Sequence, residues 1–322
     1  MARATGVLTN VSSTGHPRLL VLRGGALGDL IVTLPVLSAL RNRWPGAYIE
    51  LVSYPYLAEI ATVTGLADRV ASLHAARIAR FFALRPDLPD DLRAYMRSFD
   101  IVFNFFHDPE ETVHINLETA GAPHVISASP LVKELHAVDH FLKPLESLAI
   151  YEAGAAPALV LPREEHEAGV ARLAPYRDGA NPLWVIQPGS GSPKKNWPLG
   201  RFTELARRMK REHRLAPIFL LGEADDAARE GLTRNAPDFP RLENLTVREV
   251  AQLLAAADGY IGNDSGISHL AAAVGARTFA LFGPSNPALW SPRGPRATVL
   301  QAPEGVLDNL AVETVLTAIA GA

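Results

Sequence analysis

Short apolar runs alternating with helix-length segments constrain this chain more than any other feature. "RLLVLRGG" (18–25) is an apolar run that ends in glycines, and "DLIVTLPVLSALRNRWP" (29–45) follows with apolar residues at helical spacing. "AYIELVS" (47–53), "DRVASL" (68–73), "FDIVFNFF" (99–106) and "HVISAS" (124–129) repeat the strand pattern, and "HAVDHFLKPLESLAI" (136–150) reads as a further helix. After an Ala/Pro/Gly-rich stretch, "YEAGAAPALVLPREE", the scheme restarts with "PLWVIQPGSGS" (182–192) and the helix "PLGRFTELARRMKREH" (198–213). It continues through "APIFLLGE" (216–223), "TVREVAQLLAAAD" (246–258), "GYIGND" (259–264), "ISHLAAAVGA" (267–276) and "RTFALFGP" (277–284). Strands separated by helices predict parallel sheets. The expected fold is therefore α/β, with two Rossmann-like doubly wound domains at 1–160 and 161–322 that face each other across a cleft. Ligands of such sheets bind outside the carboxyl ends of the strands.

Composition narrows the function classes. At 322 residues the chain is long enough for two cores, and a formal charge of −3 implies no bulk attraction to nucleic acid. The absence of cysteine removes disulfides, thiolate metal sites and cysteine nucleophiles, and fits a reducing compartment. The start, "MARATGVLTNVSSTGHP", is too polar for a secretory signal, and no apolar run approaches the roughly 18 residues of a membrane span. A cytoplasmic protein without a transmembrane segment is expected.

Four loops carry candidate chemistry. In "RGGALGDL" (23–30) the glycines lack G-x-G-x-x-G spacing, which weakens a nicotinamide-dependent oxidoreductase reading. Asp29, at the end of the first strand, is either a helix cap or a carboxylate able to take a proton from a hydroxyl. "PGSGSPKKNWP" (188–198) joins glycines, Lys194 and Lys195 just ahead of a helix start, a combination that suits phosphate, although a solvated turn with two surface lysines is the bland alternative. "GNDSGISHLAAAVGA" (262–276) puts Asp264, Ser265 and Gly266 at a second helix start with His269 one turn in; simple capping and packing would also explain it. Two anion sites in one half favour a diphosphate. "GEADD" (222–226) offers Glu223, Asp225 or Asp226 to ribose hydroxyls, and the sequence does not separate them.

Two further stretches are weaker. "HAARIARFFALRPDLPDDLRAYMR" (74–97), with Arg77 and Arg80, reads as a solvated amphipathic helix, with contact to an acceptor or a membrane surface as the functional alternative. His107, Asp108, Glu111 and His114 lack convincing metal-ligand spacing, and an ordinary polar loop and helix start explain them. No metal is expected.

The chain resembles the ADP-heptose:lipopolysaccharide heptosyltransferase family, glycosyltransferase family nine. The resemblance is carried by "GALGDLIVTLPVLSALRNRWPGAYI", "IQPGSGSPKKNWPLGRFTELARRM" and "GNDSGISHLAAAVGARTFALFGPSNP", in order over most of residues 18–300. It implies a glycosyltransferase-B architecture, with the acceptor on the N-terminal domain and the sugar nucleotide on the C-terminal one. It implies Asp29 as the base of an inverting transfer and Lys195 as a stabiliser of the leaving diphosphate. Donor contacts are implied at Ser190, Gly191, Lys194, Lys195, Asp264, Ser265, Gly266 and His269, with Leu245 at the adenine and Glu223 or Asp225 at the ribose. Acceptor contacts are expected from Gly28, Arg77 and Arg80. The implied partners are an ADP-heptose donor and a glycan or lipid-linked acceptor at the cytoplasmic face of the inner membrane, with no cofactor required. A non-catalytic sugar-nucleotide-binding module, or a transferase with another nucleotide-sugar and a non-lipid acceptor, is the alternative.

Overall fold

The computed structural model describes residues 16–223 and 225–321; the polar start lies mainly in residues 1–15, outside them. The chain forms two compact units, residues 1–156 and 157–322. In the first, β1 (Arg18–Leu22), β2 (Tyr48–Ser53), β3 (Arg69–Ser72), β4 (Ile101–Asn104) and β5 (Val125–Ser127) form one sheet in the order β3-β2-β1-β4-β5. All four pairings are parallel, with Leu22 opposite both Val52 and Asn104. β1, β2 and β4 are almost wholly buried, which is why they read as continuous apolar runs rather than alternating ones.

The second unit repeats this plan with β6 (Leu183–Gln187), β7 (Ala216–Leu221), β8 (Arg241–Glu243), β9 (Gly259–Asn263), β10 (Thr278–Phe282) and β11 (Ala297–Gln301). Their order is β11-β10-β9-β6-β7-β8, again all parallel. In each sheet the chain leaves its first strand in one direction and later returns to the other side of it. The switch points fall between β1 and β4 and between β6 and β9, and a doubly wound sheet has its ligand crevice there. A core including Leu20, Phe81, Met96 and Phe99 supports the first switch point, and one including Trp184, Trp197, Phe202 and Phe219 supports the second.

Several helices differ from the sequence reading. The segment 29–45 is two helices, Leu27–Ile31 and Leu34–Arg43, because Pro35 has no N–H to donate and its ring would meet the carbonyl of Ile31, four residues earlier. The segment 136–150 is a helix, Ala137–Leu142, running into a 3-10 turn, Lys143–Leu148, where Pro144 removes the next ladder donor. The stretch 74–97 is not one amphipathic helix. It forms a short helix, Ala76–Ala79, a 3-10 turn, Arg80–Phe82, and a separate helix, Asp90–Arg97, with Pro86 and Pro89 disfavouring helix between them. The helices Pro55–Val63, Arg163–Leu173 and Val312–Ala320 and the edge strands β8 and β11 were not read from the sequence.

Candidate active site

In the first unit the chain leaves β1 through Arg23, whose N–H donates to Val52 O at 2.9 Å. Gly25 follows with φ +95°, and a Cβ there would lie 2.7 Å from Asp29 Oδ2, so the turn requires glycine on both counts. This tight turn delivers the Ala26 N–H to Asp29 Oδ2 at 2.9 Å. Asp29 Oδ1 is met by Arg23 Nη2 at 3.0 Å. The aspartate side chain keeps 31% of its surface exposed, whereas Arg23 keeps 2%. Capping and availability thus coexist: Asp29, in the first turn, takes the N–H of the N-cap residue Ala26 and still presents an exposed carboxylate edge. Gly28, half-buried, is its neighbour in the same turn.

Beside this loop, past the carboxyl ends of β4 and β5, lies a hollow of about 240 Å³ lined by Asn104, Phe106, Asp108, His114, Ser127 and Ser129, among others. Asp108 accepts the N–H groups of Val113 and His114 at 3.0 and 2.9 Å, so it caps the helix Thr112–Thr119. His114 Nδ1 lies 2.9 Å from Ser127 Oγ. Among the described residues no group of three or more His, Cys, Asp or Glu is arranged to hold a metal ion. Arg77 lies over the Tyr95 ring at 4.3 Å, and Arg80 donates to the Asp87 carboxylate at 2.7 Å.

In the second unit β6 ends at Gln187 and opens the glycine-rich loop, while the neighbouring β9 ends at Asn263 and leads into Asp264. Asn263, fully buried, joins the two: Nδ2 donates to Pro188 O at 2.7 Å and Oδ1 accepts the Trp197 N–H at 2.9 Å. Trp197 is itself anchored by Nε1 on Leu310 O at 3.0 Å. With both ends of the loop tied, Lys195 reaches Asp264 Oδ2 at 2.7 Å. Lys194 is exposed, so the structure distinguishes the adjacent lysines. Gly191 is exposed, and a Cβ added to it would meet no atom within 4 Å, so packing does not demand glycine there. Ser190 Oγ lies 2.6 Å from Asn196 Oδ1, inside the loop.

The helix Gly266–Ala273 begins where sequence places it. Ser265 is its N-cap, with its hydroxyl accepting the Ser268 N–H at 3.4 Å and lying 3.2 Å from Gln187 Oε1. Beneath it, Tyr260 O–H, Ser268 Oγ and Gln187 form a buried polar network, and burial pushes the Tyr260 pKa up, so the phenol stays a neutral donor. His269 is buried in the first turn, at 5% exposure. The helix start and Lys195 therefore flank one switch point, the arrangement that suits an anion.

The three acidic residues of "GEADD" also separate. Asp226 pairs with Arg229 on the surface and Glu223 is exposed. Asp225 is half-buried, accepts the Gly222 N–H at 2.8 Å, and lies so close to Gly189 that a Cβ on that glycine would collide with its carboxylate. It is the carboxylate held against the glycine-rich loop. Leu245 is half-buried between β8 and the helix Val247–Ala256.

Residues 132–319 match glycosyltransferase family 9 (heptosyltransferase). The chain belongs to that family. Lipopolysaccharide heptosyltransferase 1 of Pseudomonas aeruginosa is 26% identical over 294 residues, covering 84% of this chain and 79% of that protein. The Salmonella typhimurium protein of the same name is 21% identical over 315 residues, covering 91% and 96%. Of solved structures, the family 9 glycosyl transferase of Veillonella parvula matches with a TM-score of 0.79 at 21% identity over 95% of this chain and 96% of its own. An E. coli heptosyltransferase solved with ADP matches with a TM-score of 0.69 at 20% identity, covering 94% and 99%. The architecture of this glycosyltransferase is thus the glycosyltransferase-B one, with two parallel-sheet α/β domains.

Sequence reasoning missed the residues that hold this family 9 glycosyltransferase's loops in place. Arg23, Gln187, Asn263 and Trp197 lie in the quoted loop stretches, Trp197 within the K-x-W-P segment, but only their burial and long-range partners reveal this role. The available signal was a polar residue at the end of an apolar run: Arg23 directly follows one strand, and Gln187 and Asn263 are the last residues of two others.

Proposed function

We propose that this glycosyltransferase moves a heptose from an ADP-activated donor to a hydroxyl of a lipopolysaccharide acceptor, with inversion at the anomeric carbon. The observation that carries the reading is the meeting of two anion-ready loops at the β6/β9 switch point, joined by the 2.7 Å contact of Lys195 with Asp264. The names of its relatives, lipopolysaccharide heptosyltransferases, supply the sugar and the acceptor class.

In this reading the donor's diphosphate lies against the start of the helix Gly266–Ala273 and the loop of Ser190, Gly191, Lys194 and Lys195. Asp264 aims Lys195, and His269 borders the sugar end. Asp225, beside Gly189, takes the ribose hydroxyls, with Glu223 outside it and Leu245 against the base. Asp29 removes the acceptor's hydroxyl proton as that oxygen attacks the anomeric carbon. The bond from that carbon to the phosphate oxygen breaks, and ADP departs with the electron pair. One displacement gives one inversion. Charge grows on the departing diphosphate, so Lys195 and the helix start stabilise the transition state more than the ground state. Gly28 lets the acceptor approach Asp29, and the remaining N–H groups of Arg77 and Arg80 meet anionic groups on it. No further cofactor enters. Among the described residues no helix is long and apolar enough to cross a membrane, and we assign transfer to the cytoplasmic face of the inner membrane, with peripheral contact.

The test is a thermal-shift series with ADP-, GDP-, UDP- and dTDP-sugars, followed by transfer from ADP-heptose to heptose-free lipopolysaccharide with the product anomer read by NMR. ADP-heptose should stabilise the protein most, because stabilisation grows with affinity. Stabilisation by another nucleotide-sugar alone, or a product that retains the donor's anomeric configuration, contradicts the proposal.

A further inference from the structure

The most heavily buried cation in the first unit's switch-point loop has no part in the chemistry above. Arg23 keeps 2% of its side-chain surface, and burial lowers its pKa while Asp29 pulls it back up. Taking a guanidinium out of water is unfavourable unless charge and hydrogen bonds offset it. The hydrogen bonds of this side chain go to the short stretch that contains Asp29. Nη2 donates to Asp29 Oδ1 at 3.0 Å, and Nε lies 3.0 Å from Thr33 Oγ1 and 3.3 Å from Asp29 O. Thr33 completes the ring by donating its hydroxyl to Asp29 O at 2.8 Å. The guanidinium carbon lies 4.4 Å from the Phe141 ring centre, and Phe141 packs edge-on against Phe105 of the same unit.

We infer that Arg23 is the positioning residue for Asp29, a role that rests on the reading of Asp29 as the base. The guanidinium fork grips the carboxylate and the peptide carbonyl of one residue together, so side chain and backbone cannot turn independently. The Ala26 N–H holds the second oxygen from the tight turn. What remains is a single rotamer with one exposed edge. Such restraint matters because a shift of about 1 Å in a reacting group can lower a rate about 100-fold. A lysine could keep the charge but not the planar two-point grip.

The experiment measures kcat, donor KM and the ADP-induced thermal shift for Arg23→Met, Arg23→Lys, Thr33→Val, Asp29→Asn and the Asp29→Asn/Arg23→Met double variant. We expect Arg23→Met to lower kcat about 100-fold with donor KM and the ADP shift unchanged, and Arg23→Lys to recover part of the loss. In the double variant, removing Arg23 should cost nothing beyond Asp29→Asn, because both act through one group. A folded Arg23→Met with wild-type kcat overturns the inference, as does a double variant far slower than Asp29→Asn. Should Arg23→Met fail to melt cooperatively, Thr33→Val decides: a several-fold fall in kcat at constant donor KM supports the role, and an unchanged kcat refutes it. Full turnover in Asp29→Asn defeats instead the reading of Asp29 on which the inference stands.

Discussion

Asp225 shows how one residue's surroundings can set a cost in stability against the ribose contact proposed for it. Burial pushes its carboxyl pKa up, against the lowering effects of the Gly222 N–H and of Arg229. A raised folded-state pKa means that its stabilising contribution belongs to the protonated form. That contribution is present below the ordinary aspartate range of about 3.9 and is lost as the pH rises through the folded value. At neutral pH the ionised group therefore weakens the fold. Asp225→Asn should raise the Tm of the ligand-free protein at pH 7, with the gain shrinking as the pH falls toward about 4, and should weaken ADP binding about tenfold or more through loss of a charged hydrogen-bond acceptor. Calorimetric melting and titration check both; a lower Tm with unchanged affinity would contradict the assignment. Gly189→Ala should reproduce the affinity loss alone, since its Cβ would displace the Asp225 carboxylate. Neither effect was readable from sequence, because residues 189 and 225 meet only through the fold. Arg23 was hidden for the same reason: a charged residue after a strand looks solvated until its burial is known.

At the scale of elements, local chemistry was legible and pairing was not. Thr246 and Glu249 have capping-box spacing, and the structure forms both bonds, Glu249 N–H to Thr246 Oγ1 at 3.2 Å and Thr246 N–H to Glu249 Oε2 at 2.8 Å. Ser265 was likewise visible as a helix start. These caps allow a matched comparison. Thr246→Ala and Ser265→Ala should each lower stability by about 1 kcal/mol, but only Ser265→Ala should also weaken ADP binding, measured by titration calorimetry. Equal effects on ADP would deny the Gly266 helix start its place at the diphosphate. The edge strands escaped notice because β8 has three residues and β11 has no fully buried one; both owe their conformation to the neighbouring strand. Pro35 and Pro144 broke segments whose apolar spacing ran on unbroken, since spacing does not register a missing donor.

For the whole molecule, alternating strands and helices were enough to give two doubly wound halves, but strand order was not written in that alternation. The order β3-β2-β1-β4-β5, and its counterpart in the second unit, places Arg23 to Asp29 at one switch point and Lys195, Asp264 and Ser265 at the other. In the proposed reaction the second unit binds the donor and the first supplies the base. The rate of sugar transfer by Asp29→Asn at saturating donor, with ADP affinity measured on the same sample, tests that division most directly. Turnover should fall about 100- to 10,000-fold while ADP binds as tightly as to the unaltered protein. Undiminished turnover, or a loss explained wholly by weaker ADP binding, would contradict it.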